Sequence, residues 1–230
     1  MKKFFACLAL VFIVALSLSA DVYIKTKSHT GGSGMMGLAK PAQDGFSEQW
    51  IGADKFALVS GEQTIVVDLT KNLGYIISHK TKSYSEMPLP LDLSKLFPSQ
   101  AASMTGSMKL TASVVPTNET KKIGQWNCKG YNMTVSMMGL GMTSKVWATS
   151  DVPFNVNDYN SKFLAYTLKG LGPMVDDAMI KEMMKIDGFQ IATEMDMFGS
   201  KVTSEVVEIT QKNAPANVYA PPPGYTKKAR

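Results

Sequence analysis

Few side chains in this chain can do chemistry. It has two histidines, His29 and His79, and two cysteines, Cys7 and Cys128. His29 stands beside the Gly31-Gly32-Ser33-Gly34 run and His79 falls in a strand-to-strand turn, so both read as solvated turn residues. Two histidines are too few for a multi-histidine metal centre. Asp176-Asp177 is the nearest thing to a carboxylate pair, but it opens a helix, where the macrodipole alone favours acids. A nucleophile needs a base and something to orient that base. No G-x-S-x-G elbow, phosphate-cradling glycine loop, H-E-x-x-H helix or calcium loop occurs. The residues therefore point away from an enzyme, and no cofactor is expected.

Methionine is what the chain has in excess, 16 in all. The residues gather at Met35-Met36, Met104 and Met108, Met133 to Met142, Met174 to Met184, and Met195 and Met197. One reading is core filling, because the unbranched thioether chain fits irregular gaps. Another is a deformable lining for an apolar guest, since such chains repack around different shapes. A third is Cu(I) held by soft thioethers, for which only Met195-x-Met197 and the Met137–Met142 group have suitable spacing. Two of the clusters, Gly34-Met35-Met36-Gly37-Leu38 and Met137-Met138-Gly139-Leu140-Gly141-Met142, fall where hairpins should turn. Ordinary turns are polar. Apolar tips suit either cover over an open sheet end or contact with a membrane or an envelope protein.

The compartment is legible at the start of the chain. Met1-Lys2-Lys3, an apolar run from Phe4 to Leu16 and the small residues closing on Ala20 form an export signal. About 13 apolar residues fall short of the roughly 20 that span a bilayer, so cleavage after Ala20 is expected rather than anchoring. The expected location is periplasmic or extracellular. Removing twenty residues from 230 leaves 210, and losing Lys2 and Lys3 takes the net charge from +5 to +3. Only Cys128 then remains, which excludes an intramolecular disulfide framework and reads as a small packed residue. So modest a charge argues against nucleic acid as a partner. No further segment is long and apolar enough to span a membrane.

Most of the mature chain alternates with period two, which predicts strands. Val22 to His29 is the first, with Val22, Ile24 and Thr26 on one face. Short runs follow at Phe46–Ile51, Phe56–Val59, Thr64–Asp68, Tyr75–Ser78 and Lys82–Met87, too close together for anything but antiparallel pairing. A short helix is expected over Leu91–Phe97. Longer strands are expected at Lys109–Val115, at Lys122–Ser136 with a bulge or turn near Gly130, and at Met142–Thr149. Val156, Tyr159, Phe163 and Tyr166 share one helical face, and Gly172-Pro173 opens a second helix running to Gly188. Phe189–Met197 and Lys201–Thr210 make a final hairpin, and a proline-rich tail closes the chain. The fold class is mainly β within α+β: a curled antiparallel sheet or incomplete barrel with helices on its concave face. The organisation is a signal at 1–20, one domain at 21–212 and a tail, extended or loosely docked, at 213–230.

Several stretches resemble a known group of proteins. They are Asp54-Lys55-Phe56-Ala57-Leu58, Gln63-Thr64-Ile65-Val66-Val67-Asp68-Leu69, Tyr75-Ile76-Ile77, Lys80-Thr81-Lys82-Ser83-Tyr84, Lys145-Val146-Trp147-Ala148 and Pro223-Gly224-Tyr225. The group is a family of exported bacterial proteins classified as a domain of unknown function, and it resembles the periplasmic lipoprotein carriers. That resemblance implies a half-barrel with the helices near 156–168 and 173–186 as plug or lid, and acyl chains bound between sheet and helices. No cargo-binding signature comes with it. The expected lining of a hydrophobic-ligand site is Trp50, Phe56, Leu58, Trp126, Met133, Trp147, Met179, Met183, Phe189, Ile191 and Met195, and the expected guest is a lipid or other hydrophobic small molecule. The alternatives are an envelope interaction or assembly module, and methionine-held Cu(I).

Overall fold

A computed structural model describes residues 20–32, 42–90, 109–137, 139–170, 172–197 and 200–228. The expected helix Leu91–Phe97, the Gly34–Leu38 tip and Met138 lie outside the described residues. Among the described residues twelve strands form one sheet: β1 Asp21–Thr30, β2 Gln43–Ile51, β3 Lys55–Ser60, β4 Gln63–Asp68, β5 Leu73–Ser78, β6 Ser83–Pro88, β7 Leu110–Ile123, β8 Trp126–Met137, β9 Leu140–Thr149, β10 Phe189–Met197, β11 Ser200–Lys212 and β12 Thr226–Lys227. Their spatial order is β12-β6-β5-β4-β3-β2-β1-β11-β10-β9-β8-β7. The sheet is open, with β12 and β7 at its edges. Every pairing is antiparallel except β12 against β6, where the tail returns. β1 and β11 join the N-terminal meander to the C-terminal hairpins over ten paired positions.

Register decides what each face carries. Ile24 faces Gln49, Phe56 faces Ile51 and Val67, and Ile76 faces Ile65, so these side chains share one face. Tyr23 faces Trp50, Ala57 faces Trp50 and Val66, and Tyr75 faces Val66, so these share the other. Both sets are buried, except that Gln49 and Ile65 are half-buried. Helix α1, residues 156–169, covers the first face. It begins as Val156–Tyr159, capped by the Asn155 side chain, passes through a π turn at Asn160–Leu164 and ends as Ala165–Lys169. Phe163 stacks on Phe56 with ring centroids 5.6 Å apart. The second face is covered by the tail, whose Ala214, Val218, Tyr219 and Tyr225 pack on the Tyr23–Trp50–Tyr75 cluster. The tail is docked, not loose. His79 helps to pin it, with ring nitrogens 2.8 Å from the Thr64 hydroxyl and 3.0 Å from the Tyr225 hydroxyl, so it is no free turn residue.

Helix α2, Asp177–Met183, is shorter than its proline start predicted, because Gly172–Met174 forms a separate 3₁₀ turn. Asp176 caps it by accepting the Met179 N–H at 2.9 Å. Glu182 accepts the Val114 N–H of edge strand β7 at 3.1 Å, giving an otherwise open backbone donor a partner. Ile186, just past the helix, packs with Val114, Tyr131, Val146 and Ala148.

The β7–β8 hairpin corrects one expectation. The strand expected over Lys109–Val115 does not end there; β7 runs on to Ile123 with extra residues bulging between Pro116 and Thr120. Gly130 marks a close approach rather than a break in its own strand. A Cβ there would lie 2.6 Å from the Thr117 hydroxyl of that bulge and 3.1 Å from the Trp147 ring.

Two features carry stability that can be measured. Gly188 enters β10 at φ 121°, and a Cβ there would stand 2.5 Å from the Thr149 carbonyl carbon. Gly188→Ala therefore costs about 2–3 kcal/mol, read as a lower urea midpoint at unchanged slope. Asp68 is fully buried. Burial pushes its carboxyl up, but the Thr70 hydroxyl, the Lys71 N–H and the ammoniums of Lys55 and Lys71 outweigh it and hold the pKa below its ordinary value. With the folded pKa lowered, its contribution is present above the unfolded value of about 3.9 and is lost as pH falls through the folded one. Asp68→Asn should remove that part of the acid dependence, so an acid titration of unfolding free energy becomes flatter below about pH 4.

Candidate functional site

Between α1, α2 and the first face of the sheet lies a cavity of about 220 Å³. Its floor comes from adjoining strands: Thr26 of β1, Gln49 of β2, Ile191 and Thr193 of β10, and Ser204 and Val206 of β11. Its roof is Tyr159, Asn160 and Leu164 of α1, with Met183 and Ile186 closing the side beneath α2. Phe189 forms an end wall, its ring 5.5 Å from that of Tyr159 and 5.3 Å from that of Phe154.

The hollow follows from the inward-facing residue sequence. Along β1 the face passes from Ile24, fully buried, to the smaller, polar Thr26. Opposite Thr26 stands Val206, and Ser204 stands opposite Thr193. Short side chains on neighbouring strands leave a gap that α1 bridges instead of filling. A bulge between Gln190 and Ala192 bends β10 beside it.

The lining is apolar and neutral-polar, with no Lys, Arg, Asp or Glu. Burial pushes the Tyr159 phenol up to about 12, so this wall is uncharged at neutral pH. Gln49 Oε1 is buried and has no hydrogen-bond partner among the described residues, an acceptor turned to no protein donor. The arrangement can hold an apolar group among neutral polar side chains. None of its described lining residues is a His, Cys, Lys, Asp or Glu. Among the described residues no three of His, Cys, Asp and Glu gather as a cation site. A larger hollow of about 740 Å³ on the β1–β11–β10 strands is charged instead, lined by Lys27, Lys121, Lys122 and Lys201 with Asp44, Glu194 and Glu205.

The eleven residues expected to line a ligand site divide sharply. Met183, Phe189 and Ile191 border the cavity. Phe56 and Leu58 lie on the same face under α1 but within its packing, and Met179 is the buried residue of α2. Met133 packs beside Val114 and Tyr131, and Met195 is half-buried on β10 opposite Ser144. Trp50 points to the other face, its ring 4.7 Å from Tyr23 and beneath the Lys212 ammonium. Trp147 lies on the opposite side of β9 from Val146, flanked by the ammoniums of Lys121 and Lys145 at 5.3 and 5.0 Å. Trp126 and Cys128 join its buried apolar cluster, where burial pushes the Cys128 thiol up. Strand parity was available for Trp50, since Ile51 and Phe56 fix the other face, whereas the bulges that set parity in β7 to β10 carry no plain sequence mark.

Sequence reasoning missed the small and polar lining, Thr26, Gln49, Thr193 and Ser204, although Thr26 already shared a face with Ile24. It named Tyr159 only as one position on a helix face. No described helix is long and apolar enough to cross a membrane. No curated protein matches the chain. The model of the domain of unknown function DUF4412 matches residues 27–225, from within β1 to the foot of β12, and the chain belongs to that family.

Proposed function

We propose that this protein is an exported, non-catalytic binder of an uncharged amphiphile, carrier-like in action, whose acyl or other apolar portion enters the space between α1, α2 and the sheet. The observation that carries the reading is the cavity itself, with its neutral lining. At about 30 Å³ per heavy atom, 220 Å³ takes about seven such atoms. Burying that many methylenes at about 0.8 kcal/mol each is worth about 5–6 kcal/mol before ordering costs. Pockets for drug-sized ligands run to about 300–1,000 Å³, so the chamber fits a chain segment rather than a whole lipid. Met183 on its side wall is the kind of flexible chain that can yield further. A described lining without Lys or Arg, carrying the hydroxyl residues Thr26, Thr193 and Ser204, favours an alcohol, monoacylglycerol or amide over a free fatty acid. The resemblance of its sequence to a family likened to the lipoprotein carriers supports this by analogy alone.

A second reading, an envelope interaction module, rests on the β8–β9 tip. Leu140 is 64% exposed there, opposite half-buried Met137, with Met142 two residues on. The two readings separate experimentally. Native mass spectrometry of the purified mature protein should show a lipid-sized adduct, and a neutral lipophilic fluorophore should brighten on binding. Thr193→Phe, which narrows the cavity, should weaken the fluorophore at least about tenfold, while Leu140→Ser should leave its affinity within about twofold. No adduct together with no fluorescence gain overturns the binder; loss of uptake through Leu140→Ser alone moves the function to the tip.

A further inference from the structure

A second cavity of about 250 Å³ lies under the same helix, lined by Val22, Ile51, Phe154 and Phe163 together with the carboxylate-bearing Asp21 and Asp158. Both cavities sit on one face of β1 and β2. The second uses the Val22–Ile51 rung; the first uses Gln49, on the next rung, and Thr26, one rung further. Val22 and Thr26 are four residues apart, about 13 Å along the strand. Between them Ile24 is fully buried. One residue is common to the two linings, and it is Tyr159.

Tyr159 is also the hub of the ring cluster. Its centroid lies 5.5 Å from Phe189, 5.9 Å from Phe154, 6.1 Å from Phe163 and 6.4 Å from Phe56. The first two approaches are edge-on and the others tilted, so no ring is stacked flat against it. It is the last residue of the Val156–Tyr159 turn, immediately before the π turn Asn160–Leu164. π turns are uncommon and concentrate at functional positions, because the extra residue re-aims side chains. Here the irregularity falls where a side chain separates two spaces.

We infer that Tyr159 is the partition that sets how long an apolar chain this protein accepts, closing the first cavity against the second. The inference rests on the binding reading above and adds a specificity determinant to it. With the ring in place a chain entering past Met183 stops after about seven heavy atoms. With the ring removed, the same chain passes over Ile24 into the space floored by Val22 and Ile51. The 220 and 250 Å³ volumes are similar, so the accepted length should about double.

The test is displacement of the neutral fluorophore N-phenyl-1-naphthylamine from the mature protein by 1-alkanols of graded length. For the native chain, affinity should climb with each carbon to about octanol and then level off. For Tyr159→Leu it should keep climbing to about tetradecanol, so the ratio of tetradecanol to octanol affinity rises at least about tenfold. Should Tyr159→Leu fail to fold, Tyr159→Met keeps a bendable chain over Ile24 and carries the same comparison. Adding Ala53→Phe, which fills the second cavity, should return the ratio toward the native value. Native and variant proteins that bind alkanols with the same length profile overturn the partition and leave the binding reading standing. Alkanols that displace nothing from either protein overturn both.

Discussion

A sheet of twelve strands with apolar residues on both sides has two faces to remove from water, and the rest of the structure answers to that demand. Alternation puts Ile24, Ile51, Phe56, Val67 and Ile76 on one side and Tyr23, Trp50, Ala57, Val66 and Tyr75 on the other. Neither set is tolerable exposed; burying one large side chain is worth about 1.5–3 kcal/mol. The chain supplies two different covers. The tail, with Tyr219 and Tyr225, lies flat on the second face and finishes as β12 beside β6, so it closes a face and an edge together. Helix α1 covers the first face through aromatic rings, and α2 closes the opposite edge through Glu182. The covers differ in kind. An extended tail can follow a sheet closely, whereas a helix about 10 Å across touches it along one stripe. Space is left beneath a helix wherever the floor is built from small residues.

That contrast explains what the sequence made legible. Strand positions from β1 to β6 could be read because short alternating runs between Gly and Asn turns leave one register possible. The long strands were less readable. β7 bulges between Pro116 and Thr120 and β10 between Gln190 and Ala192, and each bulge changes which side later residues occupy. A list of large apolar residues therefore mixed two clusters, joining Trp50 to Phe56 and Ile191. Gly130 was visible as an anomaly, but its cause lies thirteen positions back in Thr117, across the hairpin. Gly172-Pro173 read as the start of the second helix, yet these residues belong to a separate 3₁₀ turn and Asp176 is the cap of the helix at 177–183.

The candidate site was the harder part to read because a cavity is defined by what is missing. Searching for big hydrophobes finds the residues that fill space: Phe56, Met179 and Trp126 are packing, and they are packed. The cavity lies where the inward row turns small and polar, at Thr26, Thr193 and Ser204. On a solvent-facing strand such residues would carry no information. On a row that also holds Ile24, Ile191 and Val206 they are out of place, and only the pairing of β1 with β11 and of β11 with β10 brings them together.

A face of small polar residues beneath a helix could have closed by collapse, since proteins tolerate few voids larger than a water molecule. What opposes collapse here is the ring cluster. Phe56, Phe154, Phe163 and Phe189 hold Tyr159 at the height of an aromatic ring above the sheet, which keeps Leu164 and Asn160 away from the Thr26–Ser204 floor. Each edge-on or tilted pair is worth about 0.5–1.5 kcal/mol beyond its buried area, enough together to offset an unfilled space of this size. The same rings that fasten α1 to the sheet thus act as its spacer. A helix seated instead on Leu and Ala would lie lower and leave neither cavity. The space under α1 is therefore a consequence of aromatic support at one rung and small residues at the next, and it persists for as long as both do.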